Sequence, residues 1–145
     1  MAKLVDVAVG VLAEVAAGGW KILITRRPHD AVLGGYWELP GGKLEHGEVA
    51  RVCLVREFAE EVGLTVEVGA ALPKVEHHYE HARVCLHPFF CRRVSGEPRN
   101  LAVAEHRWVS PEELASYRFP EANAEIMAHV RYALKQSEPE ALGLA

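Results

Sequence analysis

At 145 residues, 50% of them hydrophobic, the chain can bury one sizeable core, and residues 1–145 are expected to form a single domain. Its formal net charge of −4 argues against a nonspecific nucleic-acid binder, which carries a basic stripe, so no stable nucleic-acid complex is expected. The longest apolar runs, such as residues 7–13, fall short of the roughly 20 residues of a membrane-spanning helix, and the N-terminus lacks the basic-apolar-small order of a secretory signal; a soluble protein without a membrane partner is expected.

Residues 4–27 read as a hairpin. Leu4, Val5, Val7, Val9, Val11 and Leu12 are β-rich and partly alternating, Gly18-Gly19 supplies the turn, and Ile22, Ile24 and Thr25 resume the pattern. Residues 28–36, with proline, aspartate and two glycines, make a loop before a short strand at Trp37-Glu38-Leu39-Pro40. Pro40 closes that strand, and Gly41-Gly42 permit backbone shapes other residues resist. Residues 48–62 carry the strongest helical pattern: Val52, Val55, Phe58, Ala59 and Val62 recur at three- and four-residue steps as one apolar face, with Gly63 in the C-cap position. Residues 65–68 and 72–79 are strand-like, residues 83–94 are a β candidate broken or edged by Pro88, and residues 95–98 form a turn. A short strand at residues 107–109 precedes Ser110-Pro111-Glu112-Glu113, which has the capping order of a helix start. A last helix spans residues 120–135 with Ile126, Met127, Val130 and Leu134 inward, and the tail from Gln136 is expected to be loose at its end. The order β-rich, helix, β-rich, helix predicts an α/β mixed sheet with helices packed on it. Cys53, Cys85 and Cys91 are odd in number and lack paired metal spacing, which suits core packing in a reducing, cytoplasmic setting.

The chemistry concentrates in the helix. Glu57, Glu60 and Glu61 stand at i, i+3 and i+4, on one face that is expected to lie opposite the apolar stripe. Like charges at these spacings repel, and no lysine is interleaved between Arg51 and Val68 to relieve them. A solvated acidic face is the bland explanation for three glutamates alone. A hard divalent cation shared with substrate phosphates is the functional one, favoured by the adjoining Gly-rich loop. Arg56 can orient a glutamate through charge-assisted hydrogen bonds.

The spacing of the whole stretch decides between them. Gly42, Glu48, Arg56, Glu57, Phe58, Glu60, Glu61, Gly63 and Leu64 fill every fixed position of a pattern that resembles the signature of the Nudix hydrolase family, over residues 42–64. The resemblance implies the Nudix fold, an α/β/α sandwich around a mixed β-sheet, and hydrolysis of a nucleoside diphosphate linked to another group with Mg²⁺ or Mn²⁺. It makes Glu57, Glu60 and Glu61 the metal ligands, with Glu57 also a candidate base, Gly41 a carbonyl donor, Arg56 the group that orients Glu57, and Glu48 an outer helper. Glu105, in a stretch similar to the late Nudix strand, is implied as a further metal or base residue, with a surface glutamate as the alternative.

Ile22 to Arg27, Trp37 to Lys43 and Phe119 to Asn123 further resemble MutT-type pyrophosphohydrolases. Oxidised dGTP (8-oxo-dGTP) is therefore the expected substrate, cleaved to the monophosphate and pyrophosphate in nucleotide-pool sanitation. The base would be read by Asn123 and by backbone in the segment Glu38, Leu39, Pro40 and Gly41, with Arg27 near the nucleotide and Arg83 as the approximate counterpart of a downstream arginine. An Asn amide offers both donor and acceptor, but Asn123 also suits a near-cap of the last helix. Tyr79 or Trp37 would stack on the base, unless each is simple packing. Cytidine nucleotides and, because Tyr79 lies sixteen residues beyond Gly63 as in dinucleoside-polyphosphate enzymes, dinucleoside polyphosphates are the alternative substrates. Non-catalytic Nudix-like recognition modules typically lose the glutamates that this chain keeps. His77-His78-Tyr79-Glu80-His81 is not read as a zinc site, because neighbours on a strand face opposite sides and no cysteine pair accompanies them.

Overall fold

The computed structural model describes residues 3–145. The N-terminal hairpin consists of β1 (Lys3–Ala16) and β2 (Gly19–Arg26), paired antiparallel from Ala13 opposite Ile22 to Ala16 opposite Gly19. β1 is much longer than this hairpin needs. Its earlier part pairs in parallel with β7 (Ala82–Ser95), from Lys3 opposite Ala82 to Leu12 opposite Cys91, and antiparallel with the short β4 (Gly41–Lys43) through Val7, Ala8 and Val9. β5 (Thr65–Ala71) and β6 (Val75–His78) both pair with β7, while β3 (Trp37–Glu38) and β8 (Glu105–Val109) both pair with β2. The described residues thus form one mixed sheet with the path β3-β2-β1-β7-β5.

Two helices cover its faces. Alternate side chains of β1 serve two cores, as the period-2 pleat requires. Ala8 and Leu12 join Cys53, Leu54, Phe58 and Val62 of α1 (Ala50–Val62). Val9, Val11 and Ala13 join Ile126, Met127, Val130 and Leu134 of α2 (Glu121–Gln136). This is the expected α/β/α sandwich around a mixed sheet.

Four local features differ from the sequence reading. The buried stripe of α1 is Cys53, Leu54, Phe58 and Val62, whereas Val52 and Val55 are 57% and 41% exposed. Pro88 does not break β7: it falls between the stretch paired with β6, ending at Leu86, and the stretch paired with β5, starting at Phe89. The Gly41-Gly42 pair is not a loop but the body of β4. The tail is anchored, because a 3-10 turn at Pro139–Leu142 buries Leu142 and sets its carbonyl against Gly69 of β5. The capping order at Ser110 is formed as read, with Glu113 N–H donating to Ser110 Oγ at 3.2 Å and Ser110 N–H donating to Glu113 Oε1 at 2.9 Å.

Candidate active site

α1 ends where its sequence says it should. Gly63 adopts φ +70°, and its N–H donates to the Ala59 carbonyl while that of Leu64 donates to Phe58, closing the last turn. That fixed end, together with Phe58 and Val62 buried against β1, sets the rotation of the helix. Glu57 and Glu61 therefore flank the buried stripe, facing β4, rather than lying opposite it.

β4 approaches this edge closely. A Cβ on Gly42 would sit 2.7 Å from the Glu57 carboxyl carbon, and a Cβ on Gly41 would collide with the Ala8 carbonyl, so the two glycines leave the space the carboxylates occupy. Gly41 N–H donates to Glu61 Oε2 at 3.3 Å. Glu60 points outward, with its side chain 58% exposed.

Arg56 organises the acidic groups. Its Nε and Nη2 donate to the two carboxylate oxygens of Glu48 at 2.8 and 2.9 Å, a bidentate fork. Its Nη1 donates to Glu57 Oε1 at 2.9 Å and to Glu60 Oε2 at 3.2 Å. The Arg56 fork, aided by the Glu45 N–H, depresses the Glu48 pKa to about 2. Among the described residues no cation pairs with Glu61. Burial, then the adjacent Glu57 carboxyl and the charge of Glu38, push its pKa far above the carboxylate range, opposed by the Gly41 N–H. Burial also raises the pKa of Glu38, against the pull of Arg27, whose Nη1 donates to Glu38 Oε2 at 2.9 Å.

This donor set fits a hard divalent cation: oxygen atoms only, with a half-buried carboxylate that must hold a proton when no cation balances it. Glu57 and Glu61 are the pair best placed to hold one, with Glu60 further out.

Beside the carboxylates lies a cleft. Arg27, Glu38, Leu39, Gly41, Tyr79 and Asn123 all line it, together with Gly42. Lys43 and Leu33 line it too. Lys43 directly follows the glycine pair, and its charge was the signal available for it; nothing in the sequence marked Leu33, whose φ of +56° is set by the turns of the 28–36 loop. Asn123 is in the first turn of α2, where no side chain caps the helix, so the near-cap role is not the one its amide performs.

Other expected residues lie elsewhere. Arg83 is on the opposite face of β7 from Leu86, which lines the cleft, because alternate strand residues point to opposite sides; it pairs with Glu76 at 3.5 Å and is not among the residues that line the cleft. Pro40 is buried, and its carbonyl accepts from Gly10 N–H at 2.8 Å rather than facing the cleft. Trp37 is core, 8% exposed and edge-on to Tyr117 at 5.1 Å, which leaves Tyr79, 49% exposed, as the available aromatic. Glu105 is engaged by Arg107 at 2.8 Å and by Arg26 at 3.5 Å, and the Arg107 hydrogen bond chiefly lowers its pKa.

A family model described as NUDIX domain matches residues 10–129. The chain belongs to the NUDIX domain family. It is 33% identical over 129 residues to the 8-oxo-dGTP diphosphatase of Escherichia coli (strain K12), covering 89% of this chain and 98% of that protein. It is also 33% identical over 133 residues to the CTP pyrophosphohydrolase of the same organism, covering 89% of this chain and 95% of that one. Among solved structures, that of the E. coli ORF135 protein superposes with a TM-score of 0.78 at 27% identity, covering 95% of each chain. The expectation of a MutT-like Nudix hydrolase is met for family, fold and enzyme class. Nudix hydrolases generally use divalent metal ions and act on small nucleotide substrates. Among the described residues no helix is long and apolar enough to cross a membrane.

Proposed function

We propose that this Nudix hydrolase cleaves a nucleoside triphosphate to the monophosphate and pyrophosphate, with 8-oxo-dGTP as its preferred substrate and Mg²⁺ or Mn²⁺ as its cofactor. The observation that carries the reading is the junction of two surfaces. Glu57, held by Arg56, and the unpaired Glu61 stand against Gly41 and Gly42, and the same glycines line the cleft that contains Asn123. A polyphosphate held at the first and a base held at the second would belong to one nucleotide.

When bound, the metal ion offsets phosphate charge and polarises the phosphoryl group under attack. Glu57, Glu60 and Glu61 would hold it, with the Gly41 carbonyl available beside them. Arg56 fixes Glu48, Glu57 and Glu60 through four hydrogen bonds, so the carboxylates are set before substrate arrives. Glu57 is the candidate base that takes the proton of the attacking water. Lys43, at the mouth of the cleft, supplies positive charge toward the phosphates. The Asn123 amide presents a donor and an acceptor to a base edge, and Tyr79 presents a ring face.

The equal identity to a CTP pyrophosphohydrolase supports a second reading, in which the cleft takes a cytidine nucleotide. The test is a panel of 8-oxo-dGTP, dGTP, dCTP derivatives, ADP-ribose and dinucleoside polyphosphates, assayed with Mg²⁺ and with Mn²⁺. The highest kcat/KM is expected on 8-oxo-dGTP, with pyrophosphate as co-product. A maximum on cytidine nucleotides would move the assignment to the second reading, and no hydrolysis of any compound would overturn both.

A further inference from the structure

One group of metal-ligating side chains among the described residues stands apart from the glutamates of α1: Asp6, Cys85 and His87. Their proximity follows from the sheet. β1 and β7 are parallel, Asp6 is the register partner of Cys85, and His87 is two residues further along β7 on the same face. That face is the opposite one from Leu86 and the one whose Ala8 packs on α1, so the trio lies on the α1 side of the sheet, and none of its three residues lines the nucleotide cleft. Asp6 Oδ1 is 2.8 Å from His87 Nε2, and a carboxylate oxygen, the Cys85 Sγ and an imidazole nitrogen all lie within 4.8 Å of one another.

We propose that Asp6, Cys85 and His87 form a second metal site, which takes a zinc-class divalent cation through one carboxylate oxygen, one thiolate and one imidazole nitrogen, with water as the fourth ligand. The donor types choose the metal. Thiolate and imidazole select a borderline-soft cation such as Zn²⁺ and suit Mg²⁺ poorly, whereas the all-oxygen set at Glu57 and Glu61 has the reverse preference. Charge also balances: a carboxylate and a thiolate together neutralise one divalent cation. The backbone is preorganised, because all three residues sit on register-locked strands rather than on loops. The His87 side chain is 17% exposed and that of Asp6 is 44% exposed, so the ring is held while the site stays open to solvent.

The surroundings agree with this donor set. Glu76 lies across from Cys85 on β6, but its carboxylate pairs with Arg83 at 3.5 Å and His78 at 3.7 Å, which leaves the trio as the donors. Burial and the neighbouring Asp6 and Glu76 charges raise the Cys85 pKa, against the pull of Lys74. On binding, the S–H bond breaks, its proton passes to solvent, and the sulfur electron pair goes to the metal; no oxidant or reductant is required. A bound ion would pin the start of β1 to the edge of β7, an ancillary clamp separate from hydrolysis.

The test is titration of the full-length metal-free protein with Co²⁺, a spectroscopic stand-in for Zn²⁺, followed by Zn²⁺ competition. The expected result is a thiolate-to-cobalt charge-transfer band that saturates at one equivalent, is abolished by Zn²⁺, and is absent from Cys85→Ser. His87→Ala and Asp6→Asn should weaken the affinity by about tenfold or more, the equivalent of roughly 1.4 kcal/mol. The band should persist in a Glu57→Gln/Glu61→Gln double variant, and Cys85→Ser should retain Mg²⁺-dependent hydrolysis. Absence of a thiolate band in the parent protein, its survival in Cys85→Ser, or its loss in the Glu57→Gln/Glu61→Gln variant would each overturn the proposal. Because the readout is the thiolate band, failure of the nucleotide assignment would leave this result unaffected.

Discussion

Arg56 and Glu48, eight residues apart across the start of α1, are joined by two parallel hydrogen bonds of 2.8 and 2.9 Å. The fork holds the Arg56 plane so that its remaining nitrogen meets Glu57 at 2.9 Å. Glu48 thus positions Glu57 through Arg56, which explains why the motif spaces these three residues as it does. Arg56→Lys keeps the charge but has no planar fork. It is expected to lower kcat by about 10–100-fold, the usual cost of losing a residue that orients a metal ligand, with an unchanged circular dichroism spectrum. A kcat within twofold of the parent would show that the fork is structural only.

Gly42 gives space to Glu57. In Gly42→Ala the new methyl would lie 2.7 Å from the carboxyl, so the carboxyl must move. Weaker Mg²⁺ affinity, measured as a rise in the Mg²⁺ concentration for half-maximal activity, is expected with little change in melting temperature. An unaltered metal dependence would place the reactive position of Glu57 elsewhere.

Glu61 supplies a pH and metal test. Its folded pKa lies above its ordinary 4.5, so below about pH 4.5 the metal-free folded and unfolded chains both carry its proton and no penalty arises. As pH rises through the window above that, the unfolded chain releases the proton while the folded one retains it, and the folded state loses stability relative to its acid value. Glu61→Gln removes this penalty. The variant is expected to melt a few degrees higher than the parent at pH 7 in chelator, and to gain less from added Mg²⁺. A lower melting point in chelator would contradict the burial argument. Glu48 contributes with the opposite sign: its pKa is depressed to about 2, so its stabilisation is present above 4.5 and is lost as pH falls toward 2.

Much of this arrangement was legible in the sequence because it rests on short-range rules. The hairpin, the helix with its glycine cap, the capping order at Ser110 and the inner face of α2 depend on residues within a few positions of one another, and all are formed. The family motif likewise located the acidic residues. What failed was rotation and facing. Two stripes on α1 are both apolar, one through Val52 and Val55 and one through Cys53 and Leu54, and hydrophobicity alone does not choose between them; packing of Leu54 and Phe58 on Ala8 and Gly10 does. The resemblance makes Arg83 the approximate counterpart of a downstream arginine, but a motif match carries no facing, and the strand pleat puts Arg83 on the other face of β7 from Leu86. The tail looked loose because its composition is polar, whereas a single Leu142 docked beside Gly69 is enough to hold it.

Asn123 tests the base. It lines the cleft at the start of α2, where its side chain caps nothing. Asn123→Ala is expected to reduce selectivity for 8-oxo-dGTP over dGTP by roughly 5–150-fold, the range for a lost buried hydrogen-bond pairing of about 1–3 kcal/mol, while leaving the Mg²⁺ requirement alone. An equal loss on every substrate would indicate a helix defect, visible as a lower melting temperature.

The central claim is that Glu57 and its neighbours form a metal-dependent hydrolytic site for nucleoside triphosphates. Its most direct test is product analysis of 8-oxo-dGTP incubated with Mg²⁺ and either the parent protein or Glu57→Gln. The parent should release one pyrophosphate per monophosphate, stop on addition of chelator, and lose about 10²–10⁴-fold in kcat in the variant, the range for removing a general base. Release of inorganic phosphate instead of pyrophosphate, or near-parental turnover by a folded Glu57→Gln, would contradict the account.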